Sequence, residues 1–197
     1  MIEKLIFATH NDNKVKELNH ILPATINVVS LKEIGWEKKI EEPYLTLEEN
    51  AKEKATVLHE ALGTTCFAED SGLFIDALSG APGVFSARYA SMHKVALDNM
   101  DFVLQEMTSK QDRTAHFKTV ICFAENNNYH YFTGICEGQI MQQKIGNGGF
   151  GYDPIFMPIG ADKTFGEMTM QEKNSYSHRK KATDLFITFL QERYGKN

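Results

Sequence analysis

The chain has 197 residues, 42% of them hydrophobic and 24% charged, which is enough to bury one good core. We expect a single domain over residues 1–197, with a bilobed form of it left open. The formal charge of −5, without any basic block, argues against a nucleic-acid polymer as partner, because phosphate neutralisation needs clustered Lys and Arg. A small anion that carries its own metal ion remains compatible with this charge.

The N-terminus has Glu3 and only a short apolar run, so it fits a first strand better than a signal peptide. No stretch approaches membrane-spanning length, and we therefore expect a soluble, cytoplasmic protein without a membrane partner. The three cysteines, Cys66, Cys122 and Cys136, are widely separated within apolar sequence. Their setting predicts buried, reduced thiols and argues against zinc.

Apolar periodicity predicts alternating elements in the first half of the chain. They are strands at 4–9, 26–31, 64–70 and 73–78, and helices at 13–22 and 45–62. In the second helix, Thr46 and Glu49 have the spacing of a capping box. Ser71 and Gly72 are expected to break the third strand from the fourth.

The second half contains the clearest hairpin of the chain. Its strands are predicted at 114–125 and 129–141, with three asparagines as the turn. Helices are predicted at 95–107 and from about Ser177 onward. The last helix carries one apolar face, made of Ala182, Leu185, Phe186, Phe189 and Leu190. Interleaved elements with a central hairpin predict an α/β protein with a mixed sheet.

Three loops carry polar residues that suit a ligand. In the first, Thr9, Asn11 and Lys14 cluster where a helix begins, and unpaired N–H groups there attract an anion. The spacing is not that of a Walker loop, and the segment also fits a solvated turn with a capping Asn or Asp.

Acidic pairs form the second candidate. Glu69 and Asp70 end an apolar strand, and Glu41 and Glu42 precede the capped helix. Carboxylate oxygens suit Mg²⁺, which usually takes one or two protein carboxylates and fills its other positions with water and phosphate. The alternative is that all four are surface charges at the ends of elements.

The third candidate is the glycine-rich segment 146–156, in which Phe150 and Tyr152 offer ring faces to a base. Lys173, His178 and Arg179 follow near the start of the last helix and can donate to phosphate or carbonyl oxygen. A plain glycine turn with core aromatics and a solvated basic face remain open. Together the three loops indicate a magnesium-bound phosphate ester of a planar base.

Five segments in order also resemble the inosine triphosphate pyrophosphatases, which remove non-standard purine nucleoside triphosphates. They are THNDNK, EEPYLTLEENA, EDSGLFIDALSGAPGVFSARYA, GNGGFGYDPIF and EKNSYSHR, and they cover almost the whole chain. The resemblance implies an elongated, two-lobed α/β fold around a mixed, twisted β-sheet with a central cleft. It also implies a homodimer, a Mg²⁺ requirement, and hydrolysis to nucleoside monophosphate and pyrophosphate.

By position, the resemblance implies that Asp70 is the proton acceptor and that Glu41 and Asp70 hold the metal. The implied nucleotide contacts are Thr9, His10, Asn11, Asp12, Asn13, Lys14, Ser71, Phe150, Gly151, Tyr152, Asp153, Lys173, His178 and Arg179. His10 and Asn13 stand where the family usually has glycine, and Glu69 stands where it usually has aspartate. Two other functions remain open, a magnesium-dependent phosphohydrolase that releases phosphate and a non-catalytic nucleotide sensor.

Overall fold

The structure, a computed structural model, describes residues 5–23 and 26–194. Its strands are β1 Leu5–Phe7, β2 Val28–Ser30, β3 Cys66–Ile75, β4 Pro82–Gly83, β5 Thr114–Glu125, β6 Asn128–Ile140 and β7 Phe156–Pro158. Its helices are α1 Asp12–Ile21, α2 Leu47–Leu62, α3 Tyr89–Met92, α4 Asn99–Glu106, α5 Met170–Asn174 and α6 His178–Tyr194.

The strands form one mixed sheet in the order β2-β1-β3-β5-β6-β7, and β4 pairs with β3 beside this path. Strand β1 is parallel to both β2 and β3, with Leu5 opposite Val28 and Ile6 opposite Cys66. Strands β4 and β7 are antiparallel to β3 and β6. The predicted α/β class with a mixed sheet is confirmed.

Local sequence explains where the long helices begin and end. The Thr46 side chain accepts a hydrogen bond from the Glu49 N–H at the start of α2, so the Thr46 half of the predicted capping box is confirmed, and the Glu49 carboxylate accepts from the Thr46 hydroxyl at 2.7 Å. Gly63 ends α2 in the left-handed conformation, at φ 62°. Asn11 caps α1 in the same manner as Thr46 caps α2.

The predicted break at Ser71 and Gly72 is wrong, because β3 runs without interruption from Cys66 to Ile75. Gly72 packs against the backbone of Gly83 in β4, and a Cβ at this position would overlap the Gly83 carbonyl. The glycine therefore permits a close strand pairing instead of ending a strand.

Other boundaries differ by a few residues. The first predicted strand starts at Lys4, which lies outside the described residues, and β1 ends at Phe7. Helix α4 begins at Asn99 because Asp98 caps it, so residues 95–98 precede the helix. The hairpin is confirmed, and its turn residues Asn126 and Asn127 both adopt positive φ, which asparagine tolerates.

The chain divides into two compact units. Unit 1 consists of residues 5–23, 26–70, 119–134 and 179–194. Its core joins strands to α6, and the rings of Phe7 and Phe67 stack with centroids 4.5 Å apart. Phe186 of α6 packs on Phe67, whereas Leu185 lies about 100° further round the helix and is exposed, against the predicted face.

Unit 2 consists of residues 71–118 and 135–178. Its core is rich in aromatic side chains from β5, β7 and the loop that follows β7, where Phe117, Phe156 and Phe165 pack on one another. The three cysteines are buried, as predicted, and none of them forms a disulfide. None of the helices within the described residues combines the length and apolar character needed to cross a bilayer.

Candidate active site

The loop before α1, in unit 1, fixes its own backbone with side-chain hydrogen bonds. The Asn11 carbonyl oxygen accepts from the N–H groups of Asn13 and Lys14, at 3.0 and 3.3 Å. The Thr9 hydroxyl accepts from the Asn11 N–H at 3.1 Å. Asp12 is exposed at the first position of the helix. The predicted phosphate-binding residues therefore form a rigid helix N-terminus.

His10 and Asn13, which stand at usual glycine positions, fit this loop without backbone strain. Neither residue has a positive φ. Asn13 lies in the first turn of α1, and a ring nitrogen of His10 lies 2.9 Å from the carbonyl oxygen of Trp36. Both substitutions are thus compatible with the same loop conformation.

A group of buried and half-buried charges lies next to this loop, and we call it the charge cluster. Its members are Lys14, Glu17, Glu42, Lys54, Glu69, Asp70 and Arg179. All seven belong to unit 1, and they come from α1, α2, β3, α6 and the segment before α2. Charged side chains are rarely buried unless they are paired, so this cluster is the strongest functional signal in unit 1.

Arg179 forms one half of the charge cluster. Its guanidinium donates to both carboxylate oxygens of Glu69, at 2.9 and 2.7 Å, and to the carboxylate of Glu17. Burial acts to lower the pKa of Arg179, but the two carboxylates outweigh it and the pKa is raised. The arginine predicted to read the base is therefore held by two carboxylates and only 2% exposed.

Lys14 connects this half to the other. Its ammonium lies 3.4 Å from a carboxylate oxygen of Glu69. Burial lowers the pKa of Lys14, Glu69 opposes that effect, and the nearby charges of Lys54 and Arg179 add to it. Three cations thus share this neighbourhood with four carboxylates, an excess of one negative charge, so the cluster offers ligands to a cation as well as donors to an anion.

Lys54 forms the other half of the charge cluster. Its ammonium donates to Glu42 at 2.5 Å and to Asp70 at 3.0 Å. Burial acts to lower the pKa of Lys54, but Asp70 and Glu42 outweigh it, so the ammonium stays charged. Burial raises the pKa of Asp70, and the charges of Lys54 and Lys14 act against that rise.

In the structure, Lys54 connects Asp70 to Glu42. The family resemblance instead implies Glu41 as the second metal ligand beside Asp70. The Glu41 side chain is 75% exposed and lies 3.3 Å from Lys39. Within residues 5–23 and 26–194, no three His, Cys, Asp or Glu side chains form a ready metal site. A metal at Asp70 would therefore use few protein ligands, which is typical of Mg²⁺.

Sequence reasoning missed Glu17 and Lys54. On α2, Lys54 falls on the buried face with Asn50, Ala51 and Ala55, where the helical period calls for an apolar residue. Glu17 is likewise buried beside Leu18 on α1. Both residues could have been found from the sequence, because each is a charged residue at a position where the helical period places the core.

In unit 2, Asp153 organises the glycine-rich loop. One of its carboxylate oxygens accepts from the Phe150 N–H at 2.8 Å and from the Lys173 ammonium at 2.7 Å. Gly149 lies over this carboxylate with φ +70°, and a side chain there would overlap it. The loop is therefore closed around a buried ion pair and requires a glycine at this position.

Lys173 also contacts two rings. Its ammonium lies 5.2 Å from the ring centroids of both Phe150 and Phe165. This cation–π arrangement fixes the orientation of Phe150, whose side chain is half-buried. The lysine predicted to hold phosphate thus supports an aromatic ring in this structure.

The remaining predicted residues of unit 2 are a mixture of buried and open positions. The Tyr152 hydroxyl donates to the Ser86 carbonyl at 2.8 Å, and burial raises the pKa of Tyr152. The His178 ring is buried and stacks on Phe117 with centroids 4.7 Å apart. Ser71 is half-buried and Gly151 is exposed.

Comparisons with known proteins give a consistent result. The model of the Ham1 family matches residues 5–189. The chain is 48% identical over 187 residues to the dITP/XTP pyrophosphatase of Flavobacterium psychrophilum, covering 95% of this chain and 98% of that one. It is 44% identical to the dITP/XTP pyrophosphatase of Bacillus subtilis, covering 91% and 92%.

Solved structures agree with these sequence matches. The Ham1 protein of Staphylococcus aureus superposes with a TM-score of 0.86 at 35% identity, covering 96% of this chain and 99% of that one. A HAM1 protein from Coxiella burnetii gives the same TM-score and identity, covering 98% and 100%.

Proposed function

This chain belongs to the Ham1 family, and we propose that it hydrolyses ITP, dITP and XTP to the nucleoside monophosphate and pyrophosphate. Two relatives named dITP/XTP pyrophosphatases support this activity, since they are 48% and 44% identical to the chain over most of its length. Removing these non-standard purine nucleotides would keep them out of nucleic acids.

The charge cluster around Asp70 is the observation that carries this proposal. Its cations Lys14 and Lys54 suit the oxygens of a triphosphate, and its carboxylates suit a divalent ion. Lys54 and Asp70 are buried and Lys14 and Glu42 are half-buried, so their interactions with a ligand are stronger than they would be in water. A metal–triphosphate complex matches this combination of charges.

Mg²⁺ fits the residues present. Carboxylate oxygens of Glu42 and Asp70 both lie within hydrogen-bonding distance of one point, the ammonium nitrogen of Lys54. These two residues would hold the ion, with water and phosphate oxygens completing its coordination. A bound Mg²⁺ would neutralise part of the triphosphate charge and orient it.

Asp70 is the proposed proton acceptor. Burial raises the pKa of its carboxyl group, which brings it closer to the value that suits a general base. Its charge would position or deprotonate a water molecule for in-line attack at the α-phosphorus, with pyrophosphate as the leaving group.

The N-terminus of α1 is the proposed triphosphate site. Its positive dipole end favours phosphate oxygens, and Lys14 adds a cation at the same place. Residues from Thr9 to Asn13 form the loop and first turn at this helix end, where the Asn11 side chain already accepts from two of the N–H groups.

The loop of unit 2 is the proposed site for the base. Phe150, held by Lys173 and Asp153, offers a ring face on which every purine stacks. His178 is the proposed donor to the carbonyl at ring position 6, which adenosine lacks. Arg179 would act through the carboxylates it holds, as a positioning residue.

Product analysis over a panel of purine triphosphates with Mg²⁺ tests the proposal. Pyrophosphate and monophosphate should appear from ITP, dITP and XTP, with little turnover of ATP or GTP. Release of inorganic phosphate would favour a phosphohydrolase, and tight binding without turnover would favour a nucleotide sensor. No observation in the structure favours either of these alternatives over the pyrophosphatase.

The homodimer and the cytoplasmic location that we expect from the sequence stay predictions. Light scattering on the purified protein would give the mass of the assembly, to be compared with the chain mass of 22.3 kDa. A mass of about twice that value is the expected result.

A further inference from the structure

We propose that Lys54 is an internal cation that occupies the metal position of the free protein and gives way when a divalent ion binds. The proposal rests on the proposed function, since it concerns the same carboxylates. It assigns Lys54 a role in metal affinity, in addition to any contact with phosphate.

The geometry of the ammonium carries the inference. Lys54 Nζ lies 2.5 Å from a carboxylate oxygen of Glu42 and 3.0 Å from one of Asp70. A magnesium ion binds carboxylate oxygens at about 2.0–2.1 Å, so an ion shared by these two oxygens would lie close to the ammonium, and the two cations would repel each other. We therefore expect the ammonium to move away when the two carboxylates share an ion.

Burial explains why a cation is needed there when no metal is bound. The side chains of Lys54 and Asp70 are 8% and 9% exposed, and that of Glu42 is 27% exposed. Two carboxylates this close repel each other, and burial would add a large cost for each unpaired charge. The Lys54 ammonium, which donates to both carboxylates, offsets this repulsion.

The structure also favours movement of Lys54 over movement of the carboxylates. Asp70 is fixed in β3, whereas the ammonium stands at the end of a flexible four-carbon stem from α2. Glu42 is the most exposed of the three side chains, so a hydrated ion can reach it first. Metal entry would then release one ammonium next to the proposed triphosphate site.

Binding of Mn²⁺ without nucleotide, measured by electron paramagnetic resonance, tests the competition directly. Replacing Lys54→Met should tighten Mn²⁺ binding about ten-fold or more, because the ion no longer displaces two charge-assisted hydrogen bonds. Lys39→Met is the matched control: it removes a positive charge from an exposed pair with Glu41, and Mn²⁺ affinity should stay within about two-fold of the parent.

A second carboxylate change identifies the ligand. In the Lys54→Met background, Glu42→Gln should abolish the gain in affinity, whereas Glu41→Gln should leave it in place. If Glu41→Gln abolishes the gain and Glu42→Gln does not, Glu41 and not Glu42 binds the metal ion. That result would overturn the argument that Lys54 and the metal ion share one site. Equal Mn²⁺ affinity in the parent and the Lys54→Met variant, or no binding by either, would also overturn the proposal.

A measurement on the parent protein covers the case in which the variant does not fold. The ammonium of a buried lysine gives a resolvable ¹H–¹⁵N signal, and titration with Mg²⁺ alone should shift or broaden the Lys54 signal. A signal that stays unchanged at saturating Mg²⁺ would contradict displacement. Because neither experiment uses nucleotide, failure here is separate from failure of the pyrophosphatase assay.

Discussion

Replacing Arg179 by alanine should destabilise unit 1 severely, and this follows from the two carboxylates that Arg179 holds. The guanidinium makes a bidentate pair with Glu69 and a further pair with Glu17, and all three side chains are at most 5% exposed. Removing the arginine leaves two buried carboxylates, with Lys14 as a weaker partner for one of them. Breaking a buried ion pair in this way costs about 3–5 kcal/mol.

A matched control exists on the same helix. Arg193 pairs with Glu125 at 2.7 Å, but the Arg193 side chain is 46% exposed and Glu125 keeps the Tyr194 hydroxyl as a donor, so Arg193→Ala should cost only about 1 kcal/mol. Urea unfolding followed by the fluorescence of Trp36, the single tryptophan and a residue of unit 1, gives both free energies of unfolding.

The charges predict a partial rescue. Adding Glu17→Gln and Glu69→Gln to the Arg179→Ala variant should recover part of the lost stability, because both substitutions remove a buried negative charge. If Arg179→Ala costs no more than Arg193→Ala, the buried pairs do not stabilise the protein and the reasoning from burial is refuted. Activity of the Arg179 variant is interpretable only beside this measurement.

Three further predictions concern chemistry and accessibility. Asp70→Asn should lower hydrolysis by about 10²–10⁴-fold while nucleotide binding stays measurable, and near-normal turnover would remove Asp70 from the reaction. Lys173→Met should weaken the binding of ITP and ATP alike, because Lys173 fixes the Phe150 ring on which the base stacks, and Phe150→Ala should have the same effect. If Lys173→Met weakens the binding of triphosphates but not of monophosphates, Lys173 contacts phosphate instead. Burial raises the pKa of Cys66 and of Cys122 to about 12, so a thiol reagent at pH 8 should label them only in urea. Unfolded thiols ionise near pH 9, so these two groups should also make the folded state less stable as the pH rises from 9 towards 12.

Much of the fold is readable from the sequence because local and tertiary preferences agree. The cap at Thr46, the asparagine turn of the hairpin and the helical period near the C-terminus each specify one conformation. The break at Gly72 was mispredicted because the glycine serves a close backbone approach, which depends on a partner strand that local sequence does not reveal.

The site is less readable, since pairing of charges is a tertiary property. Adjacent acids such as Glu41 and Glu42 look alike in sequence, yet one is exposed and the other meets Lys54. From the sequence, Arg179 is likewise predicted to donate to a ligand, whereas in the structure it donates to Glu17 and Glu69. The family resemblance, in contrast, is confirmed, because five ordered motifs are far more specific than any single charge.

The most direct test of the central claim is hydrolysis of ITP in ¹⁸O-labelled water with Mg²⁺, with the products analysed by mass spectrometry. Attack at the α-phosphorus predicts IMP that carries one ¹⁸O atom, unlabelled pyrophosphate, and no inorganic phosphate. Label in the pyrophosphate, or release of inorganic phosphate with inosine diphosphate, would contradict the account.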